Sequence, residues 1–381
     1  MKNYVEIFWQ FLLLGLTSFG GPMAHLGYFR KTFVEKLGWL DDESYAKIVA
    51  LCQFLPGPSS SQVGFSIGMK KGGVAGGVIA FVAFTLPSFL ILYFLATLEI
   101  KQIDNQTIVG IISGLKLFAV VIVADATFGM FNSFCKTKLA FSIFILCALT
   151  LLFFQTFFIQ ILVIALAGCL GATFVKSEPK SEPQHYIQPS IPLLLLFFGI
   201  LFFGIALSHH NELIELFISY YQMGGLIFGG GHVLLPLIAH NTPVDESSFL
   251  MGYAFAQAMP GPMFTIATYL GAITIENNPF AGALVATLGI FLPGFLLLLA
   301  FEKSFESYSK KPIIKSALLG INASVVAIIF AALCDPIIPS AITSWGDALL
   351  VLGAFVVIRK YKVHVVYLLC LFCLLGVAKS L

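Results

Sequence analysis

Long apolar runs separated by short polar punctuation extend along the whole chain, and their lengths predict its elements. Residues 73–98, 107–131, 138–154 and 157–175 read as helical crossings of a roughly 30 Å hydrocarbon core. Counterparts lie at 281–301, 313–333, 342–358 and 363–379, and 191–208 adds one more apolar helix. Two other apolar stretches are interrupted: 3–37 at Gly20-Gly21-Pro22 and 44–70 at Pro56-Gly57-Pro58. Glycine loosens a helix and proline removes an N–H, so both points are expected breaks. Each arm of 44–70 extends roughly 20 Å as helix, too short to span alone. These stretches, with counterparts near 212–240 and 246–273, are expected to be hairpins broken midway. Short full crossings of every arm keep the same parity and stay open.

The polar punctuation repeats. "LDDESYAKIVALCQFLPGP" (40–58) and "VDESSFLMGYAFAQAMPGP" (244–262) align without a gap. Phe19-Gly20-Gly21 corresponds to Phe228-Gly229-Gly230, Leu86-Pro87-Ser88-Phe89 to Leu292-Pro293-Gly294-Phe295, and "GLKLFAVVI" (114–122) to "GINASVVAI" (320–328). Ordered anchors at similar spacing indicate duplication. The expected organisation is a first repeat at 1–175, a polar linker plus one helix at 176–210, and a second repeat at 211–381.

Composition agrees: 59% of residues are hydrophobic, 10% are charged, and mean hydropathy is +0.96. A soluble domain this size needs more polar surface. The net charge of +2 says less than the placement of the basic residues. In the first half they gather at Arg30, Lys31, Lys36 and Lys47, then Lys70 and Lys71, then Lys136 and Lys138. In the second half, 231–245 and 271–280 have no Lys or Arg, whereas Lys303, Lys310, Lys311 and Lys315 follow. The pattern is reversed, so the halves are expected to be inverted. The predicted fold is an all-α polytopic membrane protein with two inverted-topology repeats, broken or re-entrant helices and one linking helix.

The N-terminal run resembles a signal peptide, but Glu6 interrupts it and it continues into a repeated motif, so retention is expected. Seven cysteines lie mostly in apolar runs, and Cys370-x-x-Cys373 has no His or carboxylate nearby, so both read as small buried residues. Gly72-x-x-x-Gly76 and Gly73-x-x-x-Gly77 read as close helix packing.

Candidate chemistry follows from the breaks. Pro58 suits a first helical position, leaving the N–H groups of Ser59 and Ser60 free. With the hydroxyls of Ser59, Ser60 and Ser61, and Thr265 in the second copy, this forms an oxyanion cradle; a tightly packed hinge is the alternative. Lys116 lies mid-segment, where an ionisable group is costly, and its repeat counterpart is Asn322. It either serves the anion or pairs structurally. Asp125, half a turn out of phase with Lys116, either ends the crossing or relays protons. His25 and His232 follow the glycine breaks and could bind anions or change protonation. No nucleotide-binding or hydrolase motif appears, and no cofactor, metal or nucleic acid is expected.

"FGGPMAHLGYFRKTFV", "WLDDESYAKIVALCQFLPGPSSSQVGFSIG", "FTLPSF", "FGGGHVLLPLI" and "QAMPGPMFTIATYLGA" resemble the chromate ion transporter (CHR) family in its long two-domain form. The resemblance implies a bacterial inner-membrane protein that exports chromate and confers resistance, with sulfate as a competing oxyanion. It places the family's blocks on Phe19 to Pro22, His25, Arg30, Gln53, Pro56 to Pro58, Gln62, Gly114 to Lys116, Gly229 to His232 and Pro260 to Pro262. The expected substrate residues are Gly20, Gly21, His25, Arg30, Gln53, Gly57, Ser59, Ser60, Ser61, Lys116, Gly229, Gly230, His232, Gln257, Gly261 and Thr265. His25, His232 and Asp125 are the coupling candidates. The expected mechanism is alternating access driven by potential or protons. Uptake or exchange of sulfate or another oxyanion is the rival, a membrane-embedded chromate reductase a weaker one, and a homo-oligomer stays open.

Overall fold

The computed structural model describes residues 2–19, 21–99, 106–154, 157–174, 188–208, 211–227, 244–305, 311–361, 363 and 365–380. Among them regular structure is helical throughout. The first half contains α1 (Lys2–Thr17), α2 (Gly21–Phe29, continued by a π-helical turn Arg30–Lys36), α3 (Asp42–Phe54), α4 (Ser59–Glu99), α5 (Gln106–Phe134), α6 (Lys138–Phe153) and α7 (Phe157–Phe174). After α8 (Ile191–Ser208) come α9 (Glu212–Gly225), α10 (Glu246–Ala258), α11 (Ile266–Thr274), α12 (Pro279–Phe301), α13 (Pro312–Ala332), α14 (Trp345–Tyr361) and α15 (Val365–Ser380). Among the described residues four spans are long and apolar enough to cross a bilayer: Ser59–Leu98, Val109–Phe134, Pro279–Phe301 and Ser316–Ala341. The chain is an all-α polytopic membrane protein.

Two compact units form, each drawing on both halves of the sequence. The first comprises 1–103, 190–231 and 252–300. Here α1 ends at Thr17 and α2 resumes at Gly21, whose φ of +75° is the left-handed turn that glycine adopts freely. The two arms lie side by side: Phe11 stacks on Phe33 with ring centroids 4.7 Å apart. The outer ends of three arms meet, since Lys71 Nζ lies 3.8 Å from Glu6 and 4.7 Å above the Trp39 ring. The breaks lie deeper. Gly15, just before the first, is so close to mid-α4 that a Cβ there would stand 2.5 Å from the Phe84 carbonyl oxygen. The arms on either side of the first break therefore pack alongside each other and against α4.

The bend in α4 corrects the reading of its glycines. Gly72 and Gly73 form the turn itself, with non-helical backbone at both and φ of +64° at Gly73. Gly72 also packs, since a Cβ there would stand 3.0 Å from Ile7 and Tyr4 of α1, and Gly73 alone of the pair has nothing within 4 Å. Gly76 and Gly77 do pack, against the Gly68 carbonyl and the Phe65 ring, as the two limbs of α4 fold against each other. In the second half, Gly271 and Gly282 bring α11 onto α12, where Thr268 and Thr287 hydroxyls are 2.7 Å apart. Phe65 stacks on Phe295 at 4.7 Å, joining α4 to α12.

The second unit comprises 104–189, 232–251 and 301–381. Its main contact is made twice. Gly114 of α5 abuts the Phe372 carbonyl of α15, and its repeat counterpart Gly320 of α13 abuts the Ala167 carbonyl of α7. Gly376 meets the Gly110 carbonyl and Gly171 meets the Ser316 carbonyl in the same way. Small residues permit this backbone approach in an apolar solvent, where dispersion and close packing hold helices together. Asp347, at the start of α14, accepts from Thr343, Ser344 and Lys379, the last at 2.8 Å.

Single cysteines at Asn3 and Lys36, at the two outer ends of the first hairpin, should react with an impermeant maleimide from the same side of sealed vesicles. Labelling from opposite sides would make α1 a full crossing.

Candidate functional site

In the first unit the two Pro-Gly-Pro turns exchange backbone hydrogen bonds. Gly57, at φ +119°, donates its N–H to the Ile227 carbonyl at 2.7 Å. Gly261, at φ +99°, donates to the Ser18 carbonyl at 3.0 Å. Ser18 and Ile227 are themselves counterparts, each preceding a Phe-Gly-Gly break. The Ser18 carbonyl is available because its helical partner would be the nitrogen of Pro22, which has no hydrogen. Neither turn leaves room for a side chain: a Cβ at Gly57 would stand 2.8 Å from Gly294 Cα, and one at Gly261 3.0 Å from Ser88 Oγ. Gly294 and Ser88 again occupy equivalent positions.

The first turn opens α4, whose first helical bond runs from the Gln62 N–H to the Pro58 carbonyl at 2.9 Å. The first-turn amides thus point out of the helix end without intrahelical partners. Gln62 is fully buried and folds its side chain back over that end, its Nε2 donating to the carbonyls of Pro56 at 3.0 Å and Gly294 at 2.9 Å. His25 is also fully buried, between Phe29 and Phe84. Its Nε2 is 3.2 Å from the Ser18 carbonyl and its Nδ1 3.4 Å from Ser60 Oγ. A carbonyl only accepts, so the neutral ring carries its hydrogen on Nε2 and accepts from the Ser60 hydroxyl. Five buried polar atoms of this unit, Ser18 Oγ, Ser61 Oγ, Gln62 Oε1, Thr85 Oγ1 and the Tyr220 hydroxyl, have no hydrogen-bond partner among the described residues. Such atoms are uncommon in folded proteins and ask for a ligand or water.

The second turn has the same backbone and different chemistry. Ser59, Ser60, Ser61 and Gln62 face, in the repeat, Met263, Phe264, Thr265 and Ile266. Thr265 is buried, and its hydroxyl donates back to the Pro262 carbonyl at 2.6 Å. The polar half of the site is the first.

The other expected residues are placed as follows. Gly21 forms the first break. Gly20, Gly229, Gly230 and His232 lie outside the described residues. Arg30 sits at an outer arm end, paired with Glu35 and, at 2.8 Å, with Asp42. Gln53 is exposed at the end of α3, and Gln257 is half-buried, donating to the Tyr253 hydroxyl at 2.7 Å. Lys116 belongs to the second unit, half-buried in α5. There it acts on Asp245, which caps α10 by accepting from the Ser247 and Ser248 amides. Burial raises that carboxyl's pKa, but the hydrogen bonds and the Lys116 charge outweigh it and hold it below the usual range. Asp125 pairs with Arg359 at 3.0 Å, and the Arg359 guanidinium lies 4.5 Å above the Phe128 ring. Ser18, Gly294 and Ser88 were not expected in the site, and Gln62 was expected only as part of a family block. Ser18 precedes a repeated break and Gly294 and Ser88 occupy a repeated anchor, which is the signal that finds them.

The family described as "Chromate transporter" matches residues 5–172 and 214–377. An uncharacterized transporter of Methanocaldococcus jannaschii is 30% identical over 96% of this chain and 92% of its own length. The chromate transport protein of Pseudomonas aeruginosa is 26% identical over 87% of this chain and 81% of its own. That of Cupriavidus metallidurans is 23% identical over 94% and 88%. No solved structure matches the chain.

Gly57→Ala should destabilise the protein by about 2 kcal/mol or more, since strain at positive φ adds to a backbone clash. Gly73→Ala, equally left-handed but with nothing within 4 Å, should cost only the strain, about 1 kcal/mol. Thermal unfolding in detergent should rank Gly57→Ala clearly below Gly73→Ala; equal melting points would remove the clash from the account.

Proposed function

This chain belongs to the chromate transporter family, and we propose that it is a secondary active transporter that moves chromate out of the cytoplasm. The observation that carries this reading is the first turn: a helix N-terminus at a backbone break, with buried hydroxyls that lack partners. Open amides and a partial positive charge suit an oxyanion, and the arrangement resembles the broken-helix sites of inverted-repeat transporters. The relatives named as chromate transport proteins supply the identity of the anion.

The halves lie inverted in a bacterial inner membrane and rock about the paired breaks, so that the site opens to each side in turn. The contacts made once from each half, and the reversed placement of Lys and Arg, support that arrangement. The membrane potential drives the anion outward by roughly 2.3 kcal/mol per charge per 100 mV, so export needs no other energy source. Host cells gain chromate resistance, and sulfate, of similar size and charge, competes. Lys116 attracts the anion from α5, with Asp245 as the carboxylate it exchanges against.

Everted vesicles containing the protein should accumulate chromate, and vesicles without it should not. Loss of chromium(VI) with no accumulation would favour a reductase, and sulfate flux without chromate flux would make this a sulfate carrier. Lys116→Met should insert normally and raise the chromate KM about tenfold or more, as expected when a positive charge is withdrawn from an anion's path. An unchanged KM would take Lys116 out of the path.

A further inference from the structure

The side-chain amide of Gln62 can be oriented without ambiguity. Both Nε2 hydrogens are used, on the carbonyls of Pro56 and Gly294. Reversing the amide would set Oε1 against two carbonyl oxygens, which only accept. Oε1 is therefore the free end, and it is buried without a partner among the described residues. The neighbouring Ser61 Oγ is in the same condition. Because the Gln62 Nε2 reaches back to the Pro56 carbonyl, the carboxamide that carries this acceptor lies at the open end of α4.

Amides and hydroxyls donate to an oxyanion, but Gln62 Oε1 can only accept. A bare oxyanion has no hydrogen to give, so a fully deprotonated ligand leaves Oε1 buried and unpaired. We propose that Gln62 selects the singly protonated oxyanion: the first-turn amides and Ser61 hold its charged oxygens, and Oε1 accepts its O–H. This deepens the transport reading and rests on it. Chromate takes up a proton close to neutral pH and sulfate only in strong acid, so the same contact discriminates between them. Sites built to bond a ligand's hydroxyl reject analogues that lack it, because their own polar group is left unpaired. The second turn has Ile266 at the equivalent position and makes no such demand. Gly57 and Gly294 are needed to bring the amide into place, since each lies within about 3 Å of Nε2 measured from an added Cβ.

The test uses everted vesicles with equal pH on both sides and the potential clamped, at fixed total chromate. The wild-type initial rate should follow the hydrogen chromate fraction, falling about tenfold per pH unit on the alkaline side. Sulfate should compete at least about tenfold less well than chromate itself. Gln62→Met, which keeps volume and loses the acceptor, should flatten the alkaline fall and narrow the sulfate gap. His25, joined to Ser60 of the same turn, is the titratable side chain among the described contacts. His25→Gln should therefore keep the slope even where it lowers the rate. A wild-type rate independent of pH would overturn the proposal, as would a slope that survives in Gln62→Met or disappears in His25→Gln. If Gln62→Met fails to insert, the wild-type profile and sulfate competition decide alone. Absence of wild-type chromate flux would overturn the transport reading instead.

Discussion

A polypeptide that leaves its helix at membrane depth exposes amides and carbonyls with no water to receive them. The first unit answers this by having each half satisfy the other. The Gly57 N–H goes to Ile227 of the second half, and the Gly261 N–H to Ser18 of the first. Both acceptors are carbonyls at the helix ends that a break has created. The break in one half is thus the partner of the turn in the other, and neither could form alone without leaving a buried group unmade at a cost of about 1–3 kcal/mol. Both Pro-Gly-Pro turns need left-handed glycines because the donor must point across, and both need a small residue opposite, Gly294 or Ser88, because the backbones nearly touch. Duplication supplies these requirements as a set.

Shared backbone has allowed the side chains to diverge. The exchange of main-chain bonds depends only on glycine and proline, so residues 59–62 and 263–266 were free to become Ser-Ser-Ser-Gln and Met-Phe-Thr-Ile. One helix end is polar with unpartnered atoms, while at the other Thr265 is satisfied by its own turn. The second unit shows the same division: the glycine contacts of Gly114 and Gly320 are equivalent, yet Lys116 faces Asn322 across the repeat. Symmetry holds the scaffold, and its local loss marks where chemistry resides.

What could be read from the sequence followed from local rules. The apolar run lengths, the Gly-Pro breaks and the internal repeat located the main helices and the turns at Gly21, Gly57 and Gly261. Residues whose meaning depends on a distant partner were not legible. The family resemblance put Arg30 among the substrate residues and Asp125 read as a crossing end or a relay; the sequence did not show the ion pairs each makes, with Asp42 and Glu35 and with Arg359. The Gly72 to Gly77 spacing suited helix packing, but two of those glycines make the bend, a choice set by where the limbs of α4 must fold together. Gln62 stood in a family block, but its orientation could not be read, because it is fixed by a carbonyl 232 residues away.

The described polar groups at the first turn are neutral: amides, hydroxyls, an amide side chain and an imidazole whose tautomer is set by the Ser18 carbonyl. That neutrality has a consequence for turnover. A fixed cation at a dry site would hold an oxyanion tightly and leave a buried, unpaired charge once the anion departed, a state that is strongly penalised. A cradle of dipoles attracts the anion when it is present and asks for no counter-charge when it is gone. Conduction and transport both need a site that binds well enough to load and weakly enough to empty. Lys116, by contrast, carries a full charge that acts on the Asp245 carboxylate. A cation with its own carboxylate can yield to a passing anion and recover afterwards, and so can assist approach without trapping what it attracts.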